Sequence, residues 1–222
     1  MITPIEPTLE DGQEIQTFEY NEYKKDAILH TKVPMDLTQE VYNFCKTVRK
    51  EFNRENIPEE NPRLAGDLNE EYGLDFRDNI PLLKKIQDQI NHTLSLSMGK
   101  TVISHFVDRM WVNFQKPNEV NPIHDHTSTI SLVWYLDVPE CIRQEHLQQK
   151  SNIPVRGLIY FYSTFGSDSM TFNPKVGDML MFGSHHAHQV YPFRSNVERV
   201  SLAMNIRNVC VYSDEYGSMI YV

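Results

Sequence analysis

At Gly99 the spacing of apolar residues changes from about 3.6 to about 2, and this switch limits the folds open to the chain. Upstream, Leu37, Val41, Phe44, Cys45, Val48 and Phe52 recur at helical spacing, with Asp36 as N-cap. Two prolines between Asn56 and Pro62 break that pattern, and Leu64 to Leu68 reads as a loop or the start of a short element. A second helix begins near Asp78 or Asn79 with Pro81 in its first turn. Its stripe is Leu82, Leu83, Ile86, Ile90 and Leu94, and Gly99 ends it. Downstream the runs are short. Val102–Phe106 forms one strand, and Met110, Val112 and Phe114 alternate with Trp111, Asn113 and Gln115 in another. Further strands are read at Thr129–Leu136, Leu158–Tyr162, Met170–Phe172, Asp178–Phe182, His188–Tyr191 and Val200–Arg207, with a late hairpin around Gly217. Pro139 to Pro154 is polar and reads as an insertion between strands.

Two helices followed by many evenly spaced strands predict an α+β fold, a sandwich or jelly roll with the helices packed on one sheet. The chain of 222 residues suits one domain spanning 1–222. Within it, 1–99 is a helical support region opening with an edge strand and irregular structure, 100–208 the jelly-roll core and 209–222 a tail. The 21 basic against 30 acidic residues leave a net charge of -9. That disfavours a nucleic-acid partner, since phosphate contacts need clustered cations. Cys45, Cys141 and Cys210 are odd in number and far apart, with no CxxC, as expected in a reducing compartment. No apolar run reaches membrane-spanning length and no signal peptide opens the chain, so the expectation is a soluble cytoplasmic protein with no membrane partner.

His124 and His126 stand at i and i+2 before an apolar strand. In extended backbone both face one way while Asp125 faces the other. Two imidazoles on one face can hold a divalent metal, and His188, opening a later strand, can complete a facial set. Arg199, Ser201, Ala203 and Asn205 form a polar row, and Val200, Leu202, Met204 and Ile206 an apolar one. The apolar row packs on the helices, so the polar row looks into the barrel. A buried arginine there needs an anion. Either a ligand carboxylate meets its fork, with Ser201 adding a hydrogen bond, or an internal acid such as Asp178 does. Trp111, Trp134, Tyr160 and Phe161 read as core, Asp178 as a turn residue, and His185 and His186 as exposed turn residues, one of which can line a site mouth. His30, His92, His105 and His146 have no partner spacing. There is no Gly-rich phosphate loop, no nucleophile elbow and no Cys–His constellation.

Ten residues separate His188 from Arg199, and Arg199-Val200-Ser201 is an Arg-x-Ser pattern. Together with His124/His126, Gly177-Asp178-Met179-Leu180-Met181-Phe182, His188-Gln189-Val190 and Asn205, the chain resembles the 2-oxoglutarate and Fe(II)-dependent oxygenases over about residues 100–208. It is most similar to the small bacterial and phage members with a His-x-His run. The resemblance implies a double-stranded β-helix of cupin-like jelly-roll form. It implies Fe(II) on His124, His126 and His188, and 2-oxoglutarate as cosubstrate, held at its distal carboxylate by Arg199 and Ser201. Asn113 and Tyr135 are candidates for further cosubstrate contacts. The implied reaction is O2-dependent hydroxylation of an unidentified organic or peptide substrate, such as an amino-acid or peptidyl side chain. The pattern departs from the family's His-x-Asp at His126. Either three histidines bind the metal, which strand geometry favours, or a local twist brings Asp125 in. The alternative function is a cupin-like metal-binding jelly roll with another activity or a binding role, in which three histidines are equally at home.

Overall fold

A computed structural model describes residues 16–18, 28–51, 68–75, 79–152, 154–162, 169–213 and 218–221. Residues 1–15, all of the loop read at Leu64–Leu68 except Leu68 itself, Asp78 and the Gly217 turn lie outside the described residues. Helix α1 spans Met35–Glu51 and α2 spans Ile80–Met98. The signals of α2 act as read: Asn79 caps it by accepting from the Leu82 amide, Pro81 sits in its first turn, and Gly99 closes it in the left-handed region at φ 59. Asp36 does not cap α1. It lies inside the first turn, and the helix start is set by Pro34, whose carbonyl accepts from both the amide and the hydroxyl of Thr38.

The strands are β1 (Gln16–Phe18), β2 (Ile28–Lys32), β3 (Glu71–Gly73), β4 (Val102–Gln115), β5 (Asn121–His124), β6 (Ile130–Asp137), β7 (Ile159–Phe161), β8 (Met170–Phe172), β9 (Asp178–Gly183), β10 (His188–Val190), β11 (Arg199–Ser213) and β12 (Ser218–Tyr221). They form two antiparallel sheets. The larger runs β1-β2-β9-β6-β11-β4-β3, with β12 beside β11, and the smaller runs β5-β10-β7-β8. This is the double-stranded β-helix expected. Two strands differ from expectation. The segments read as 102–106 and 110–115 are one strand, because β4 pairs with β11 along its whole length and carries Asp108 and Arg109 through register shifts instead of a turn. Strand β11 runs on to Ser213 and hairpins with β12. The Pro139–Pro154 insertion holds helix α3 (Glu140–Gln144) and a 3-10 turn at Glu145–Gln148. The Glu145 carboxylate accepts from the amides of Arg194 and Ser195 and from the Ser195 hydroxyl, tying the insertion to the loop before β11.

The apolar row of β11, Val200, Leu202, Met204 and Ile206, is fully buried beneath the helices with Val41, Cys45, Leu82, Ile86 and Ile90. Each such aliphatic side chain contributes about 1.5–3 kcal/mol of burial. A second cluster, with Tyr135, Ile159, Phe161, Leu180 and Phe182, lies between the sheets. It fills the β7 and β9 side of the sandwich and leaves the β4 and β5 side to polar groups.

Candidate metal and anion site

Sheet pairing places the histidines. His188 opens β10 directly opposite His124 at the end of β5, and their rings lie 4.3 Å apart. His126 follows two residues on, 4.9 Å from His124 and 5.3 Å from His188 between centroids. One ligand atom from each of the three lies within 4.8 Å of the others. Nδ1 of His124 donates to the Pro122 carbonyl at 2.7 Å and Nδ1 of His188 to the His186 carbonyl at 2.9 Å. With Nδ1 protonated, the Nε2 lone pair of each neutral ring is free to ligate. Burial, then the neighbouring imidazoles, pulls His188 down to about 3. Burial likewise takes His126 to about 4 and lowers His124. All three are neutral at ordinary pH, the state in which imidazole binds metal. Asp125 is exposed and outside this group.

The histidines line a cavity of about 40 Å³ together with Trp111, Asn113, Asn121, Tyr135 and Ser201. Asn113 Oδ1, Asn121 Oδ1 and the Tyr135 hydroxyl are buried without a hydrogen-bond partner. Three unsatisfied polar atoms in one wall are costly unless something binds there. The three histidines fit a divalent ion, and the Tyr135 hydroxyl and the amide N–H groups of Asn113 and Asn121 are the donors this wall can offer an oxygen-rich ligand. Burial pushes the Tyr135 phenol up to about 12, so it remains a donor.

Asn113 on β4, Ser201 on β11 and Tyr135 on β6 are register partners on one face. One step along the same face, Arg199 is 1% exposed. Its Nε and Nη2 donate to Gln115 Oε1, and its Nη1 to the Gly157 carbonyl. It stacks near Tyr135 and Phe193, with Cζ 6.0 and 5.6 Å from their ring centroids. Among the described residues no carboxylate pairs with it. The internal Arg199–Asp178 pair left open by the sequence is not formed: Asp178 is taken by His30, Lys32 and the Lys175 amide. Asp178 is therefore a buried anchor between β2 and β9 and more than a turn residue.

Several neighbours escaped the sequence reading. Trp111, read as core, is a cavity wall 6.0 Å from the His126 ring. His185 is exposed as read, but His186 is buried at 6% and its carbonyl fixes the His188 tautomer. Gln115, Asn121 and Gly157 carried no usable signal, although the alternation of Gln115 with Phe114 already placed Gln115 on the Asn113 face.

Residues 109–205 match the family model described as "Putative 2OG-Fe(II) oxygenase". This segment, a little under half of the chain, is thus similar to the 2OG-Fe(II) oxygenases, a family of oxidoreductases that work with Fe(II) and 2-oxoglutarate. No curated protein sequence matches the chain. Among solved structures, a Pseudomonas putida prolyl-4-hydroxylase is similar at TM-score 0.53 and 16% identity, over 82% of this chain and 92% of that one. A viral collagen prolyl hydroxylase from Paramecium Bursaria Chlorella virus-1, solved as a 2OG complex, is similar at TM-score 0.53 and 14% identity, over 81% and 94%. An oxidoreductase of the 2OG-Fe(II) oxygenase family from Burkholderia pseudomallei reaches TM-score 0.46 at 17% identity, and the chain spans 60% of its length. At these identities the first two likenesses show the shared fold. No helix among the described residues is long and apolar enough to cross a membrane.

Proposed function

We propose, from the 2OG-Fe(II) oxygenase pattern of residues 109–205, that this chain hydroxylates a C–H bond in an amino-acid or peptidyl side chain. His124, His126 and His188 would hold Fe(II), and Arg199 with Ser201 would receive the distal carboxylate of 2-oxoglutarate. Bound iron with this cosubstrate and O2 supplies the oxidising power, while decarboxylation to succinate drives the reaction.

The observation that carries this reading is a buried guanidinium that meets no acid among the described residues. Gln115 and Gly157 satisfy part of its fork with neutral acceptors and leave its charge uncompensated. A ligand carboxylate offsets that charge with charge-assisted hydrogen bonds. Arg199 lies behind the cavity wall, so the wall at Tyr135 must yield for a five-carbon diacid to reach from the histidines to the guanidinium. The Tyr135 hydroxyl, now without a partner, then has an acceptor. The apolar cluster of Ile159, Phe161 and Phe182 keeps water from the far side. The prolyl hydroxylase likeness in fold supports a side-chain substrate by analogy alone.

The test is succinate formation from 2-oxoglutarate by the Fe(II)-loaded protein, followed by NMR with a panel of proline-containing peptides and free amino acids. Turnover that needs Fe(II) and O2 and rises with one panel member supports the reading. A folded, iron-loaded protein that neither binds nor consumes 2-oxoglutarate contradicts it and favours the cupin-like alternative.

A further inference from the structure

Glu71 on β3 stands directly across from Asn113 on β4. Its neighbour Tyr72 packs in the core beneath the helices, so alternation turns Glu71 to the opposite face, the one that carries Asn113 and the cavity. Side chains directly opposite in an antiparallel pair stand about 5 Å apart at Cβ. The other carboxylates around Glu71 have donors. Glu119 accepts from the amides of Asn69 and Lys116 and from the Asn69 side chain. Glu70 pairs with Arg49 and Lys116, and Glu198 with Arg49. Among the described residues, no cation and no hydrogen-bond donor meets Glu71. Across from it, Asn113 Oδ1 is buried with no donor either. Half-buried Glu71 and the orphaned Asn113 Oδ1 are thus register neighbours, and a proton on Glu71 would supply the donor that Oδ1 lacks.

We propose that Glu71 is a positioning residue: in its protonated form it donates to Asn113 Oδ1 and so turns the Asn113 Nδ2 amide hydrogens toward the cavity, where they meet the carboxylate-bearing cosubstrate. Ionised Glu71 only accepts. It draws the amide N–H groups to itself and leaves Oδ1 facing the cavity, against an anion. The inference rests on the cavity taking 2-oxoglutarate. The charged group that faces Glu71 from the turn after β4 is Glu119. From β4 it is faced by the uncharged Asn113, and its chain neighbour Glu70 is held by Arg49 and Lys116. Burial, then the Glu119 carboxylate, raises Glu71 to about 7. The change of state therefore falls near neutrality, where the metal-site histidines are neutral, Arg199 is charged and 2-oxoglutarate is fully ionised.

The experiment is calorimetric titration of the Mn(II)-loaded protein with 2-oxoglutarate at about pH 6, 7 and 8, with thermal melts confirming the fold. Wild type should lose affinity about fivefold or more from the lowest to the highest pH. Glu71→Gln, a permanent neutral donor, should hold the low-pH affinity throughout. Asn113→Ala should bind more weakly and show no slope. A flat wild-type profile, or the same slope in wild type and Glu71→Gln, overturns the inference while leaving the cosubstrate assignment intact. No binding by wild type at any pH overturns the cosubstrate assignment itself, and the inference with it.

Discussion

Arg199 gives two of its N–H groups, on Nε and Nη2, to a single neutral acceptor, Oε1 of Gln115. Gln115 is in turn fixed by donating its Nε2 to the Glu119 carbonyl at 2.7 Å. The guanidinium is thus aimed without being neutralised. Burial disfavours its charge, and among its neighbours the Tyr135 phenol favours it. Such a group costs the ligand-free fold and gains only when an anion arrives. Arg199→Met removes a buried charge but leaves the Gln115 and Gly157 oxygens without their donor, so the two effects oppose each other and the ligand-free protein should stay folded. Its 2-oxoglutarate affinity should fall about tenfold or more, the scale of one hydrogen bond to a charged group. Metal content should be retained. Melting curves, calorimetry and metal analysis together check this, and loss of metal equal to the loss of 2-oxoglutarate would make Arg199 structural.

Gly157 supplies the third contact of that fork from a backbone that only glycine adopts easily, at φ 74. An added Cβ would lie 2.8 Å from Ile142 Cγ2 and 3.0 Å from the Ile142 carbonyl oxygen. Gly157→Ala should therefore destabilise the protein by roughly 1–3 kcal/mol and also weaken 2-oxoglutarate binding, because the carbonyl that steers Arg199 moves. Denaturant unfolding paired with calorimetry measures both effects.

The ligand set separates cleanly by mutation. His126→Ala and His188→Ala should each lose Fe(II) in metal analysis of anaerobically reconstituted protein. Asp125→Ala, at an exposed position, should keep it. Retained iron in His126→Ala with loss in Asp125→Ala would reverse the assignment.

The same burial that keeps the histidines neutral makes the metal-free fold sensitive to acid. His188 and His126 titrate near about 3 and about 4 in the folded chain, against an ordinary value of 6.5. Below that ordinary value the unfolded chain takes up protons that the folded site refuses. The stability is therefore fully present above pH 6.5 and is lost as pH falls toward the folded values. His188 alone accounts for roughly 3 kcal/mol between neutrality and pH 4. Melting of the metal-free protein across this window should show the decline, and His188→Asn should blunt it. Bound metal competes with the same protons, so metal release should fall in the same range.

What was legible in the sequence was local. Asn79, Pro81 and Gly99 bounded α2 because capping and the left-handed turn depend on a few adjacent residues. The split of β11 into an apolar and a polar row was readable because a strand alternates strictly. The i, i+2 spacing of His124 and His126 placed them together for the same reason. What was not legible depended on partners far along the chain. Asp36 has the chemistry of a cap, yet Pro34 sets the start of α1. Val102–Phe106 and Met110–Gln115 read as separate strands, yet pairing with β11 holds them in one long strand. Asp178 and Gln115 both had side chains able to serve Arg199. Only the assembled sheets gave the arginine to Gln115 and Asp178 to His30 and Lys32.

The central claim is that three histidines hold Fe(II) while the buried guanidinium draws 2-oxoglutarate onto the same site. Anaerobic titration of the Fe(II) protein with 2-oxoglutarate, followed by visible absorption, measures this directly. A saturable metal-to-ligand charge-transfer band that is absent without iron, and needs far more cosubstrate to develop in Arg199→Met, is the predicted result. A folded, iron-loaded protein that develops no such band would contradict it.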